Sequence, residues 1–196
     1  LLESRGLGDV YKRQLYKYAV TLCKSVSYKG LGTVEFLIDK NEKIYFMEVN
    51  PRVQVEHTIT EELTGIDLIR AQINVFCGLS IQDQNLTEVN IIGKRASIQA
   101  RLNMESYDKK IQLVPATGTI KEYDIASGPG IRVDGAGKVG FKNDGIYDSL
   151  LAKVIATSDL GLSEAVRKLN FTLRMSKISG VETNKNLIIE VLNQEN

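Results

Sequence analysis

Between Glu48 and Glu56 every second residue can do chemistry: Glu48, Asn50, Arg52, Gln54 and Glu56, with Val49, Pro51, Val53 and Val55 between them. Glu35 precedes them in a run of strand-forming residues. Carboxylate and amide oxygens are the donors that magnesium and manganese prefer. An arginine offers a planar fork of donors for phosphate or carboxylate. A glutamate accepts a proton when its pKa and geometry suit. The chemistry in reach is therefore divalent-metal binding joined to the handling of an anionic substrate. His57 is the single histidine of the chain and has no serine or cysteine beside it, so a nucleophilic triad and any multi-imidazole site are excluded. It reads as a satisfied histidine next to a helix start.

Two strands must hold the acids. "TVEFLID" (33–39) and "KIYFMEV" (43–49) read as a hairpin around the polar turn Asp39-Lys40-Asn41-Glu42. Pairing the two runs back from that turn is expected to bring Glu35 opposite Glu48. Like charges directly opposite on paired strands repel. A divalent cation removes the repulsion, and Asn50 offers a third oxygen on the same face. Magnesium takes one or two carboxylates and completes its shell with water and phosphates, which suggests a nucleotide site with open metal positions. Two acids on a solvated face neutralised by Lys40 or Lys43 give the same pattern, and both readings stand at this point. Pro51 cannot donate to a ladder, so the second strand ends there and Arg52, Gln54 and Glu56 fall on a loop. Arg52 alone reads as half of a surface ion pair.

The rest of the chain is read for support. Leu15, Ala19, Leu22 and Val26 recur at helical spacing over 15–28, and Lys29-Gly30-Leu31-Gly32 breaks that helix. Thr58 with Glu61 and Thr64 with Asp67 resemble two successive helix starts. Ile66, Ile69, Ile73 and Phe76 share a helical face, and Gly78 supplies the stop. "SIQDQNLTEVN" (80–90) reads as a polar linker. Strand-like runs follow at 95–104, 117–125, 130–135 and 150–158, punctuated by glycine and proline. Helices are expected around Leu162, Val166, Leu169 and Leu173, and over 184–193 after the turn Ser179-Gly180. The fold class is α+β in two regions, residues 15–78 and 79–196. The first fourteen residues, "LLESRGLGDVYKRQ", have no clear period and resemble a translated adaptor sequence, so they are set aside.

The totals exclude several classes. The chain has 25 basic and 24 acidic residues, a net charge of +1, and is 43% hydrophobic. That balance gives no electrostatic case for nucleic acid or an anionic membrane surface. No apolar run reaches the roughly 18 residues of a membrane span. Cys23 and Cys77 lie far apart in apolar helical patterns and read as buried free thiols of a reducing, cytoplasmic compartment.

The run "GTVEFL" followed by "YFMEVNPRVQVEHTITEELTGIDLIRAQI" resembles the C-terminal lobe of the ATP-grasp fold. More narrowly it resembles the biotin carboxylase component of biotin-dependent carboxylases. "QARLNME", "PATGTI", "GPGIRVD", "YDSLLAKVI" and "SGVETN" occur in the order of that family's C-terminal α+β domain, and the resemblance extends from Leu15 to Asn186.

The resemblance implies ATP- and bicarbonate-dependent carboxylation of biotin held on a carrier domain. Glu35 and Glu48 correspond to ligands of magnesium or manganese, with Asn50 as their amide neighbour, and Leu37 to a residue that packs on adenine. Arg52 corresponds to the arginine beside carboxyphosphate and the biotin enolate. Gln54, Val55 and Glu56 correspond to the bicarbonate pocket, with Glu56 as general base. Arg101 corresponds to an arginine that holds the carboxyphosphate phosphate and biotin; read alone, it is a strand arginine set to pair with Glu105. Implied partners are the biotin carboxyl carrier domain, a carboxyltransferase domain or subunit, and further copies in a homo-oligomer. The acceptor, whether acetyl-CoA, propionyl-CoA, pyruvate or urea, is chosen elsewhere. The family's N-terminal domain and glycine-rich lid have no counterpart here, so an internal fragment with little of the ATP grip is expected. A carbamoyl-phosphate synthase or peptide ligase shares the acid-x-asparagine strand but not the continuation through Arg52, Gln54 and Glu56. A non-catalytic scaffold would not require intact metal and base positions.

Overall fold

The computed structural model describes residues 9–87, 94–107 and 112–194. The chain divides into two compact units, residues 1–90 and 91–196. The division falls at the far end of the polar linker, of which residues 88–90 lie outside the described residues.

The first unit holds α1 (Asp9–Ser25), β1 (Thr33–Ile38), β2 (Ile44–Asn50), α2 (His57–Thr64) and α3 (Leu68–Phe76). Helix α1 begins at Asp9, so residues 9–14, set aside on sequence, form its first turns. That stretch contains no glycine or proline, and the Gln14 side chain donates to the Tyr18 hydroxyl one turn on, at 2.7 Å. Leu15 is buried, and Leu15, Ala19 and Cys23 line one cleft with Val34 and Phe36 of β1. Val26, expected in this seam, lies beyond the helix end and is exposed.

Strands β1 and β2 pair antiparallel, and the ladder has a fault that decides the site. Next to the turn Ile38 pairs with Ile44, Leu37 with Tyr45 and Phe36 with Phe46; beyond it Glu35 pairs with Glu48 and Val34 with Val49. Met47 is thus an extra residue on β2, a β-bulge. Without it, period-2 alternation would put Phe46 and Glu48 on one face. The bulge resets the phase. Phe46 stays with Phe36, ring centroids 6.3 Å apart at 78°, on the face that meets Tyr18 of α1. Glu48 turns to the opposite face with Glu35.

The two following helices start away from where their sequence suggests, α2 two residues earlier and α3 three residues later. The residue capping α2 is Glu56, not Thr58; Thr58 is fully buried inside the helix. The cap of α3 is Asp67, whose Oδ1 accepts from the Arg70 N–H at 2.8 Å. Thr64 instead donates to the Thr60 carbonyl, and Glu61 reaches forward to the Leu68 N–H at 2.9 Å, tying α2 to α3. Gly78 follows the helix in the left-handed conformation, as expected. Ile69, Ile73 and Phe76 are exposed, so the expected apolar face of α3 is not covered within this unit. Cys77, expected to be buried, caps the exposed end of α3.

The second unit is built on a three-stranded antiparallel sheet of β3 (Ala96–Asn103), β10 (Leu150–Ser158) and β8 (Ile131–Gly135), with β10 central. Helix α4 (Leu162–Met175) packs Leu169 and Leu173 on Ala100, Leu102, Val154 and Ala156. Helix α5 (Lys185–Leu192) adds Ile188, Ile189 and Leu192 at its edge. Small two-stranded pairings complete the unit: β4 (Glu105–Tyr107) with β5 (Leu113–Pro115), β6 (Gly118–Thr119) with β9 (Lys142–Asn143), and β7 (Glu122–Asp124) with β11 (Lys177–Ser179). The run expected as one strand over 117–125 is therefore two short ones. Gly180 turns the chain with φ +89°, where a Cβ would overlap the Thr119 carbonyl.

Candidate active site

Glu35 and Glu48 face each other across the β1–β2 ladder, and the amide of Asn50 lies between them. Its Nδ2 donates to Glu35 Oε1 at 2.9 Å and to Glu48 Oε1 at 3.1 Å. Lys43, one of the two lysines that could neutralise the pair, lies instead over the Tyr45 ring, 5.1 Å from its centroid. The pair is thus bridged by a neutral donor. Two carboxylates bridged by an amide that can also present an oxygen form a hard, oxygen-only donor set, which fits magnesium better than zinc or copper. Leu37 lies on the same face, opposite Tyr45, and is exposed.

The chain leaves β2 by a sharp bend. Proline fixes φ near −65°, close to the inverse γ-turn value. The Arg52 N–H accordingly donates back across Pro51 to the Asn50 carbonyl at 2.8 Å. The exposed Arg52 guanidinium donates to the Val53 carbonyl at 3.2 Å and to Gln54 Oε1 at 3.3 Å. The loop therefore presents arginine and glutamine side by side. Gln54, Val55 and Glu56 are half-buried, and Glu56 sits at the N-terminus of α2. Helix N-termini carry unpaired N–H groups and the positive dipole end, which favour an anion. Glu35, Glu48, Asn50, Arg52, Gln54, Val55 and Glu56 thus come together on one hairpin and the loop that leaves it.

Arg101 belongs to the second unit, exposed on β3. Glu105, its expected pairing partner, accepts from Asn103 at 2.8 Å and from Ser149 at 2.9 Å. The residue opposite Arg101 on the central strand is Lys153, itself opposite Asp134 on β8. Asp134 takes a two-pronged contact from Arg132, 3.0 Å on each arm, and Lys153 at 3.5 Å. Burial would push the Asp134 carboxyl up; the Arg132 hydrogen bond and the charges of Arg132 and Lys153 outweigh it and hold the group below its ordinary value.

Sequence reasoning missed Asn184, which anchors the strand that carries Arg101. Its Oδ1 accepts from the Asn103 N–H at 2.9 Å, its Nδ2 donates to the Arg101 carbonyl at 3.1 Å, and its own N–H donates to the Asn103 carbonyl at 3.1 Å. An asparagine just after a turn and before a helix was the available signal.

Comparison with known proteins fits this geometry. Residues 3–84 match the family model described as carbamoyl-phosphate synthase L chain, ATP binding domain. Residues 99–196 match the model described as biotin carboxylase C-terminal domain. Mitochondrial pyruvate carboxylase of Rattus norvegicus is 42% identical over 190 residues, covering 96% of this chain and 16% of that protein. A single-chain, multi-domain long-chain acyl-CoA carboxylase superposes with a TM-score of 0.88 at 37% identity, over 97% of this chain and 20% of that one. The biotin carboxylase domain dimer of Hydrogenobacter thermophilus 2-oxoglutarate carboxylase, solved with MgADP, ADP and bicarbonate, superposes with a TM-score of 0.84 at 33% identity, over 98% of this chain and 41% of that one. The chain thus spans a minor part of each relative. An ATP-binding lobe of the ATP-grasp type, followed by the biotin carboxylase C-terminal domain, assigns this chain to the biotin carboxylase family.

Proposed function

We propose that this chain forms part of the biotin carboxylase component of a biotin-dependent carboxylase, which uses ATP and bicarbonate to carboxylate carrier-bound biotin through carboxyphosphate. The observation that carries the reading is the continuity of the acid pair Glu35–Glu48 with the loop of Arg52, Gln54 and Glu56. One segment supplies both a divalent-cation site and an anion site next to a base.

Glu35 and Glu48 would hold magnesium or manganese, with the Asn50 amide offering Oδ1 in place of the N–H it now directs at the pair. When bound, the metal neutralises charge on the nucleotide phosphates. Leu37 presents an apolar surface to the adenine. Gln54 and the Val55 backbone orient bicarbonate at the start of α2, and Glu56 removes its proton. The deprotonated oxygen then attacks the γ-phosphorus of ATP, ADP leaves, and carboxyphosphate forms. Arg52 offers donors where negative charge gathers on the oxygens during carboxyl transfer to N1 of biotin, a contribution worth roughly 3–4 kcal/mol of barrier in comparable oxyanion sites. Arg101, with Lys153 as its cationic neighbour on the sheet, holds the phosphate that carboxyphosphate releases.

The remainder of the reading concerns the whole protein. Residues 15–78 act as the ATP-grasp lobe and 79–196 as the C-terminal domain. The partners are a biotin carboxyl carrier domain, a carboxyltransferase domain or subunit, and a second copy in a homo-oligomer. Among the described residues no helix is long and apolar enough to cross a membrane, and we place the protein in the cytoplasm.

The test is Glu56→Gln in the full-length protein. Bicarbonate-dependent ATP cleavage should fall by about 100-fold or more while the fold is retained; unchanged cleavage would move the base elsewhere.

A further inference from the structure

His57 reads from sequence as an inert neighbour of Glu56, but its contacts give it a task. The Gln54 carbonyl accepts two hydrogen bonds from this one residue. The His57 backbone N–H reaches it at 3.2 Å and the imidazole Nδ1 at 2.7 Å. A carbonyl oxygen only accepts, so Nδ1 must carry the proton, which fixes the ring's tautomer and orientation. The backbone bond is open to any residue at this position; the shorter bond requires a donor where Nδ1 stands.

The two bonds close a turn whose interior residues are Val55 and Glu56. On its far side Thr58 is fully buried in α2, so the turn is pinned at the helix as well as across its mouth. On its near side the Gln54 Oε1 accepts from Arg52. A ring that holds the Gln54 carbonyl therefore sets the direction of the Gln54 side chain, and through the turn it sets that of Glu56.

We propose that His57 is a positioning residue for bicarbonate: its Nδ1–H clamps the Gln54 carbonyl and thereby fixes the Gln54–Val55–Glu56 turn. This deepens the reading of that turn as the bicarbonate pocket and rests on it. His57 itself touches no substrate and transfers no proton.

Asparagine places an N–H close to where Nδ1 stands, whereas glutamine places one close to Nε2. The full-length protein is compared as wild type, His57→Asn, His57→Gln and His57→Ala, with Michaelis constants measured for bicarbonate and for ATP in bicarbonate-dependent ATP cleavage. His57→Gln and His57→Ala should raise the bicarbonate constant about tenfold and leave the ATP constant within about twofold, while His57→Asn stays within about threefold of wild type. Equal impairment of the asparagine and glutamine variants would overturn the proposal. So would an unchanged bicarbonate constant in all three, or a parallel rise for ATP. A second readout is the protonation of the ring itself in the wild-type protein. The 15N imidazole signals of wild type that are lost in His57→Asn should show Nδ1 protonated, and an Nε2–H tautomer there sinks the idea. Glu56→Gln, assayed alongside, separates the two levels. If it also leaves cleavage intact, the reading of the pocket fails; if it abolishes cleavage while the His57 variants behave as wild type, only the clamp fails.

Discussion

Glu35 and Glu48 are directly opposed across β1 and β2, and they share a face because Met47 is an unpaired extra residue between Phe46 and Glu48. The hairpin thus sorts its side chains, with phenylalanines toward α1 and acids away from it. Like charges opposed on paired strands cost about 0.2–1 kcal/mol. Here the Asn50 amide, donating to both carboxylates, offsets part of that cost.

Glu48→Gln removes the repulsion. In the absence of metal the variant should be as stable as wild type or more stable by up to about 1 kcal/mol. Wild type should gain stability with added Mg2+, about 2.7 kcal/mol when the free ion exceeds its Kd 100-fold, and the variant should gain almost none. Thermal denaturation with and without MgCl2 measures both; an equal gain in the two proteins would remove Glu48 from the metal site.

Asn184 acts on Arg101 through the backbone. Asn184→Ala deletes two side-chain hydrogen bonds to β3 and leaves the Asn103 N–H and Arg101 carbonyl without those partners, so about 1–3 kcal/mol of stability should be lost. Asn184→Asp keeps the acceptor for Asn103 but turns an acceptor-only oxygen toward the Arg101 carbonyl, so it should recover little of that loss. Urea unfolding followed by a probe in the second unit measures both.

Asp134 gives that unit an acid limb. Its carboxyl is held below the ordinary value of 3.8 in the folded protein. The stabilisation is therefore fully present above the unfolded-state pKa and is lost as pH falls through the lower folded-state pKa. Stability at pH 7 and pH 5 should differ little on this group's behalf and should drop below about pH 4. Asp134→Asn should be less stable at neutral pH, with a shallower acid limb. Parallel curves for the two proteins would assign the limb to other carboxylates.

The sequence made the hairpin legible because a polar turn between two β-branched, aromatic runs has few other solutions. The Glu35–Glu48 pairing was read correctly, but equal steps from the observed Ile38–Ile44 pair would have matched Glu35 with Met47. The bulge supplies the missing step, and nothing in local composition marks Met47 as the extra residue. The helix caps misled for a related reason: Thr58 and Thr64 fit a capping pattern, yet Thr58 is buried in packing and Asp67 caps more strongly. Local propensity could not weigh those tertiary contacts. The roles of Asn184 and His57 depend on bonds to backbone atoms, which carry no side-chain signature at the receiving end. The second-unit helices and the long strands β3, β8 and β10 were legible from periodicity, whereas the short pairings β4–β5, β6–β9 and β7–β11 depend on contacts distant in sequence.

Attack of bicarbonate on ATP at this site, as proposed, is checked by following an oxygen atom. Full-length protein turns over ATP with biotin and 18O-labelled bicarbonate, and the inorganic phosphate is analysed by mass spectrometry. Attack by bicarbonate on the γ-phosphorus, followed by loss of the carboxyl group, leaves one bicarbonate oxygen on each phosphate released. One 18O per phosphate is expected, with the labelled product lost in Glu56→Gln. Phosphate that carries only solvent oxygen would contradict it.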